Sequence, residues 1–217
     1  MDDSLNIKEH WNTAYNKDDD QLGWFESNPD KTMGLIAKTN LAKNTLILNV
    51  GAGTTTLIES LLYAGFTNII ANDLSDVALQ RLKVRIKKSD NYDLKCVADD
   101  LTNPKELNQL KKVDLWIDRA VLHFFLKGED QDAYFNLIHK IISKNGYVLM
   151  AVFAENGAKK CSGLPLQLYS VEKLQDKLGR NFKLIESFNY TFINPSGGER
   201  PYIYTLFQKN NESVVVY

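Results

Sequence analysis

The stretch from Thr45 to Asp73, TLILNVGAGTTTLIESLLYAGFTNIIAND, constrains this chain more than any other. An apolar run, Leu46-Ile47-Leu48, leads through Asn49-Val50 into Gly51-Ala52-Gly53 and three threonines. Leu57, Ile58, Leu61 and Leu62 then recur at the spacing of one helix face. Thr56 and Glu59 stand in capping-box register, and Gly65 falls where a left-handed C-terminal cap belongs. A second apolar run, Asn68 to Ala71, ends at Asp73. Strand, glycine turn, helix, strand and acid in that order read as a βαβ unit that holds a nucleoside. The plain alternative is an α/β turn with no ligand.

Backbone geometry explains why such a unit binds. Glycines at 51 and 53 let a ligand approach the main chain closely. The helix that begins near Thr54 turns unsatisfied N–H groups into the crevice, where a phosphate or an amino-acid carboxylate can dock. Asp73 follows the turn by about 20 residues, the distance at which a strand-end carboxylate accepts ribose hydroxyls. A dinucleotide site wants a third glycine where Thr56 stands. The threonine run therefore favours a small carboxylate, and a dinucleotide oxidoreductase remains as an alternative.

Flanking segments extend the unit into a fold. Residues 4–16 read as a helix with Leu5, Ile7, Trp11, Ala14 and Tyr15 on one side, and a polar loop at 18–23 precedes Trp24-Phe25. Asn28-Pro29-Asp30 starts a second helix to about Lys38. Ser75 caps a helix to about Lys88, whose Arg81, Lys83, Arg85, Lys87 and Lys88 read as its wet face. A third strand runs from near Tyr92 to Ala98 and ends at Asp99-Asp100; a fourth, Val113 to Ile117, ends at Asp118-Arg119. Asp130 opens a helix stopped at Gly146, and a fifth strand covers Tyr147 to Phe153. Five such alternations mean a parallel sheet covered on both faces. A helix near 171–178 then precedes two long strands, 182–193 and 202–208, whose connection is too short for a helical crossover. They should be antiparallel neighbours. The expected architecture is a doubly wound, Rossmann-like α/β sheet, mostly parallel with an antiparallel C-terminal strand, helices on both faces and an N-terminal helical cap. One domain spans 1–217: cap 1–40, ligand-binding core 41–153, and an outer loop, helix and hairpin 154–217.

Composition narrows the partners. Of the 217 residues, 44% are hydrophobic and 24% charged, and the formal net charge of −1 gives no field that would draw the chain to nucleic acid or an anionic membrane. No run approaches membrane-spanning length and the N-terminus lacks a signal-peptide core, so a cytoplasmic location is expected. Cys96 and Cys161 are far apart and imply neither disulfide nor metal site. No His/Cys/Asp/Glu cluster has metal-ligand spacing, so no metal is expected. The apolar tail Val214-Val215-Val216-Tyr217 can add a strand or a subunit contact, or fray.

In its order of parts the chain resembles class I S-adenosylmethionine-dependent methyltransferases: glycine turn, acids after strands two and three, terminal hairpin. NVGAGTT matches the two central glycines of that family and departs at Asn49, where an acid is usual, and at Thr55, where a third glycine is common. HWNTAY at 10–15, LGWFESNP at 22–29, DLWIDRAVLHFF at 114–125 and CSGLPLQLY at 161–169 are similar to a group of small bacterial methyltransferases of unassigned acceptor. The middle segment loosely resembles seven-strand protein lysine methyltransferases.

The resemblance implies S-adenosylmethionine as cofactor and S-adenosylhomocysteine as product. Asp73, with Leu74 beside it, would take the ribose diol. Asp99 would accept from the adenine amine, with the backbone at Asp100 and Leu101 along the ring edge. Gly51, Ala52, Gly53 and Thr54 would line the methionine portion, and Trp11 or Tyr15 would offer a cation–π face to the sulfonium. Arg119 would bind the cofactor carboxylate, an acceptor anion or a neighbouring Asp, and Asp118 belongs to the same strand-end group. His123 and Asp118 are the candidate catalytic bases, although Asp118 is as readily a loop organiser and His123 a packed core histidine. Trp24, Phe25, His123, Cys161, Leu164, Pro165 and Tyr169 would wall the acceptor. Such a rim suits a small, partly apolar nucleophile such as a thiol or amine, and equally a lysine stem on a protein. A nucleoside-binding regulatory protein without chemistry is the non-enzymatic alternative.

Overall fold

A computed structural model describes residues 6–87 and 94–211, without the side chain of Lys87. The expected start of the third strand at Tyr92, Lys88 and the 214–217 tail lie outside these residues. Seven strands make one sheet: β1 (Leu46–Val50), β2 (Asn68–Asp73), β3 (Lys95–Ala98), β4 (Val113–Arg119), β5 (Ile142–Phe153), β6 (Phe182–Ile193) and β7 (Glu199–Lys209). They lie in the order β3-β2-β1-β4-β5-β7-β6. β1 to β5 are parallel to their neighbours, and β7 runs against both β5 and β6. Lys160–Cys161 and Leu164–Pro165 pair as a small separate ribbon.

Alternation along the strands sorts the core into two layers. Leu48, Val50, Trp116, Val148 and Met150 pack with Tyr134, Leu137, Ile138 and Ile141 of α5 (Gly128–Ile141) and Leu174 and Leu178 of α6 (Val171–Leu178). Ile47, Ile69, Leu115, Ile117 and Leu149 face the other way. They pack with α2 (Asp30–Ala37), α3 (Leu57–Tyr63) and α4 (Asp76–Lys87). Every residue of β1 except Leu46 is buried, as a parallel strand covered on both faces requires. α5 stops at Ile141, short of the expected Gly146, because Ile142 is already extended and pairs with Val113. Ser143 Oγ secures that bend by donating to Val113 O at 3.1 Å and Asp114 Oδ1 at 2.7 Å.

The turn after β1 takes a different form from the one its sequence suggests. α3 begins at Leu57, and Thr56 makes no side-chain cap bond. The Thr56 hydroxyl donates instead to Glu26 O at 2.9 Å, while Glu59 pairs with Arg85. Leu57 N–H is accepted by Thr55 Oγ1 at 3.0 Å, and Thr54 Oγ1 donates to Asp19 Oδ1 at 2.6 Å. The three hydroxyls are thus occupied by the chain itself. At the far end Gly65 N–H reaches Leu62 O and Phe66 N–H reaches Leu61 O, with Gly65 at φ +89°. That is the expected left-handed cap.

Those same threonines anchor the N-terminal cap, whose helix α1 spans Ile7–Ala14. Arg81 and Arg85, one helical turn apart on α4, face the cap rather than water, which corrects their assignment to a wet face. Arg81 Nη1 donates to Tyr15 O and Lys17 O at 2.6 Å each, and its Nη2 meets Asp19 Oδ1 at 2.8 Å. Arg85 donates to Thr54 O at 3.1 Å and to Thr55 O, and pairs with Asp19 at 3.6 Å. Lys83 remains exposed.

Two outcomes follow. Gly51 sits at φ +56°, and a Cβ there would lie 2.0 Å from Val121 Cγ2. Gly51→Ala should therefore cost about 2–4 kcal/mol in urea unfolding, from backbone strain and overlap together. In a double-mutant cycle with Val121→Ala the overlap part should vanish; an undiminished cost would show that the backbone angle acts alone. Arg81→Ala should speed amide exchange across 15–22 by tenfold or so, a shift of about 1.4 kcal/mol. Amides of β1 and β4 should keep their protection; uniform acceleration would instead mean global destabilisation.

Candidate active site

The direction in which strands are added reverses between β1 and β4, and open α/β sheets bind ligands at such a switch point. A cavity of about 330 Å³ lies there. A second, of about 40 Å³, shares Tyr15, Trp24, Gly51 and Arg119 with it. Of the residues expected at the cofactor, Trp11, Gly51, Asp73, Leu74, Asp99, Asp100, Leu101 and Arg119 line the larger cavity. Ala52, Gly53 and Thr54 line the smaller. Trp24, His123, Cys161, Leu164 and Pro165 also line the larger cavity, and Phe25 the smaller.

Asp73 ends β2 almost fully buried, and its two oxygens accept from Gly53 N and Ser75 N at 2.8 Å each. It therefore fixes the glycine turn from below. Burial raises its pKa to about 6, against the pull of the N–H groups of Ser75, Gly53 and Leu74. Asp99 spends its carboxylate on its own loop, accepting from Asp100 N at 3.1 Å, Lys105 N at 2.9 Å and Leu107 N at 2.9 Å. Asp100 Oδ1 accepts from Thr102 N and Oγ1 at 2.8 Å. Both acids stand in the wall with part of their accepting capacity already used.

Asp118 does not reach either cavity. Its Oδ1 accepts from Val121 N at 2.9 Å, and its Oδ2 from Leu122 N at 3.0 Å and Tyr134 Oη at 2.7 Å. Trp116 Nε1 donates in turn to Tyr134 Oη at 3.1 Å. Burial lifts the Asp118 pKa to about 6. This side chain organises the turn after β4; the expectation of a base or cofactor ligand is corrected, because every oxygen faces the loop and α5.

The turn it organises bends sharply through Ala120, at φ +73°, and places Arg119 and His123 against the same Tyr202 ring. Arg119 pairs with Glu26 at 3.0 Å, donates to Trp24 O at 2.8 Å and lies over the rings of Phe192 and Tyr202 at 4.7 and 5.4 Å. Burial opposes its charge, but Tyr202, Tyr204 and Glu26 hold its pKa above the usual value. Burial outweighs Arg119 in setting Glu26, whose pKa is raised.

His123 is fully buried, and its Nδ1 accepts from Phe153 N at 3.4 Å. That bond puts the proton on Nε2, which has no partner among the described residues. Burial, then the charge of Arg119, depress its pKa to about 3. A neutral ring with its lone pair engaged is a hydrogen-bond donor, so the general-base role expected of His123 is corrected. Tyr169 is also corrected: its N–H bonds Phe153 O at 3.0 Å, and the ring joins the core layer of α5 and α6, away from the cavity.

Several lining residues went unseen in the sequence. Val121 and Phe124 sit in DRAVLHFF without a periodicity that marks them. Glu26 lies in the quoted LGWFESNP string, but its partner Arg119 is 93 positions away, beyond any local pattern. Asn49 and Arg119 share the small cavity, and each leaves one buried polar atom, Oδ1 and Nη2, without a partner among the described residues. One is an acceptor and the other a donor, so together they complement a group that carries both ammonium and carboxylate. Aromatic rings close the roof: Trp11 meets Trp24 and Phe124 edge-on at 5.5 and 4.9 Å, and Trp24 Nε1 donates to Tyr15 Oη at 3.2 Å.

Known proteins share this fold. The chain is 25% identical over 160 residues to EEF1A lysine methyltransferase 2 of Danio rerio, covering 67% of this chain and 68% of that one. Its fold is similar to a protein solved in connection with conversion of a disulfide bond into a thioacetal group during echinomycin biosynthesis, with a TM-score of 0.76 and 14% identity over 96% of this chain and 93% of that one. A similar fold is found in the N-methyltransferase NodS of Bradyrhizobium japonicum WM9 in complex with S-adenosyl-L-homocysteine. There the TM-score is 0.68 and the identity 13%, over 94% of this chain and 98% of the other. Residues 41–198, well over half of the chain, match the methyltransferase-domain family. The chain belongs to that family and is a methyltransferase.

Proposed function

We propose that this enzyme transfers a methyl group from S-adenosylmethionine to a small-molecule acceptor that enters between the N-terminal cap and the 160–165 ribbon. The observation that carries the reading is the pair of unpartnered atoms in the small cavity, Asn49 Oδ1 and Arg119 Nη2, next to the glycine turn held by Asp73. They suit an amino-acid end, and Asp73 suits the two hydroxyls of a ribose. When bound, S-adenosylmethionine supplies a methyl group already activated on a sulfonium. The chain contributes alignment and dryness, worth on the order of 7–11 kcal/mol in the best intramolecular cases. Trp11, Tyr15 and Trp24 exclude water from the roof, and Leu74, Leu101 and Val121 offer apolar contact to a base. In Asp99's loop the backbone at Asp100 and Leu101 would read the base edge.

The division of the chain follows: the cap seals the site, 41–153 holds the cofactor, and 154–217 shapes the acceptor side. Among the described residues no helix is long and apolar enough to cross a membrane, which is consistent with a cytoplasmic place for such chemistry. The zebrafish relative favours one second reading, transfer to a protein lysine. Radiolabelled transfer into intact proteins of a lysate, against transfer into its small-molecule fraction, separates the two.

Asp73→Asn should weaken S-adenosylhomocysteine binding by about 2–4 kcal/mol, some thirty- to a thousand-fold in calorimetric Kd, since bonds to a charged acceptor are lost. Unaltered affinity in a folded variant would remove Asp73 from the site. The wild type should bind more tightly as pH rises through about 6, because Asp73, whose pKa is raised, becomes an ionised acceptor only above it. In Asp73→Asn that rise should disappear.

A further inference from the structure

The acceptor side of the larger cavity is short of proton acceptors. Its walls come from the cap (Trp11, Trp24), the turn after β4 (Arg119, His123) and the ribbon (Cys161, Leu164). The carboxylates that line the cavity stand at the ends of β2 and β3 and in the first turn of α5, at Asp130. Near the acceptor, Glu26 is held by Arg119 at 3.0 Å, and Asp118 is consumed by Val121, Leu122 and Tyr134. His123 has its Nδ1 lone pair engaged by Phe153 N–H. A substrate that must lose a proton on arrival, as an ammonium must, finds no carboxylate or imidazole free to take it among the described residues that the cap, the β4 turn and the ribbon contribute to these walls.

What the walls do offer is a donor. His123 Nε2–H is fully buried and has no partner among the described residues, and His123 lines the larger cavity alone. A buried N–H left unpaired is costly, so a ligand that supplies an acceptor there is favoured. Arg119 lies beside it, its charge already countered by Glu26 at 3.0 Å. An ammonium would bring only N–H donors to a donor; an anion would satisfy it. The remaining surface is apolar and polarisable, and desolvating a strongly hydrated carboxylate against it is costly, whereas a thiolate is soft and weakly hydrated.

Resting on the methyltransferase reading above, we infer that the acceptor is a thiol that reacts as its thiolate, held by the Nε2–H of His123, and that no side chain of these walls removes its proton. The step balances without a base. A thiolate lone pair forms the new S–CH₃ bond, the old C–S⁺ bond breaks, and its electron pair stays on the departing sulfur as a neutral thioether. Negative and positive charge cancel, and no proton moves.

The test loads the enzyme with S-adenosylhomocysteine, which carries no sulfonium, so any charge preference must come from the chain. Benzenethiolate, benzoate and benzylammonium are titrated calorimetrically at mildly alkaline pH, and each is then offered as methyl acceptor with S-adenosylmethionine. Benzenethiolate should bind at least about tenfold more tightly than either of the others, which is about 1.4 kcal/mol, and should be the probe that is methylated. Preference for benzylammonium or benzoate, or silence towards the thiolate while S-adenosylhomocysteine binds, overturns the inference and leaves the methyltransferase reading standing. Failure of S-adenosylhomocysteine itself to bind strikes at that reading instead. His123→Phe, which keeps an aromatic ring and removes the N–H, should bring the thiolate-to-benzylammonium ratio down by threefold or more, within about 0.7 kcal/mol or beyond. If that variant does not fold, the wild-type titrations decide.

Discussion

At the carboxyl ends of β2, β3 and β4 a buried carboxylate gathers the backbone N–H groups of the loops around it. Asp73 takes Gly53 and Ser75, Asp99 takes Asp100, Lys105 and Leu107, and Asp118 takes Val121 and Leu122. Bonds from N–H to an ionised acceptor are about twice as strong as neutral ones, and each group here would otherwise be left unpaired in a dry place. The rim of the crevice is therefore rigid before any ligand arrives. Both cavities depend on it: Asp73 sets the glycine turn, and Asp118 sets the bend that delivers Arg119 and His123. Burial raises the pKa of Asp73 and Asp118 to about 6, so the same desolvation that strengthens these bonds brings them close to losing charge in mild acid.

Much of this fold could be read from period and punctuation. The alternation of apolar runs and amphipathic helices located every sheet strand, and the short connection after Ile193 required the antiparallel pair. Asp73 was legible because its distance from the glycine turn reflects one βαβ unit. The threonines and the arginines of α4 were not, for a common reason. A threonine run looks like ligand-binding hydroxyls and an arginine row looks like a wet face until Asp19, Glu26 and the carbonyls of Tyr15 and Lys17 are folded onto them. Their partners lie 30 to 66 positions away, where local pattern has no reach.

Protonation was the other blind spot. His123 in LHFF has an ordinary titration range as an isolated residue, and a strand-end Asp118 next to it suggests a base pair. Only the packing shows that Phe153 N–H occupies the lone pair of one and that Tyr134 Oη and two amides occupy the other. The fold, moreover, does not choose the acceptor: structures this similar include an N-methyltransferase and a protein tied to sulfur chemistry. Chemistry has to be argued from the side chains that line the cavity.

Among those side chains, the neutral residue at position 49 changes how the site is assembled. An acid at the end of β1 would share the small cavity with Arg119 and could neutralise it from within the sheet. Asn49 cannot; its amide donates to Val50 O and Ile117 O, and its buried Oδ1 has no partner among the described residues. The counter-ion comes instead from Glu26 in the cap, and Trp24 O of the same segment takes another guanidinium N–H. A buried ion pair stabilises little on its own account, but removing one partner costs about 3–5 kcal/mol because the other charge is stranded. Glu26 and Trp24 O therefore tie the cap to Arg119, while the stacking of the guanidinium on Phe192 and Tyr202 holds it in place. The contacts that seat the cap are in this way the contacts that orient the arginine, and Trp11 and Trp24 of the same segment wall the cavity.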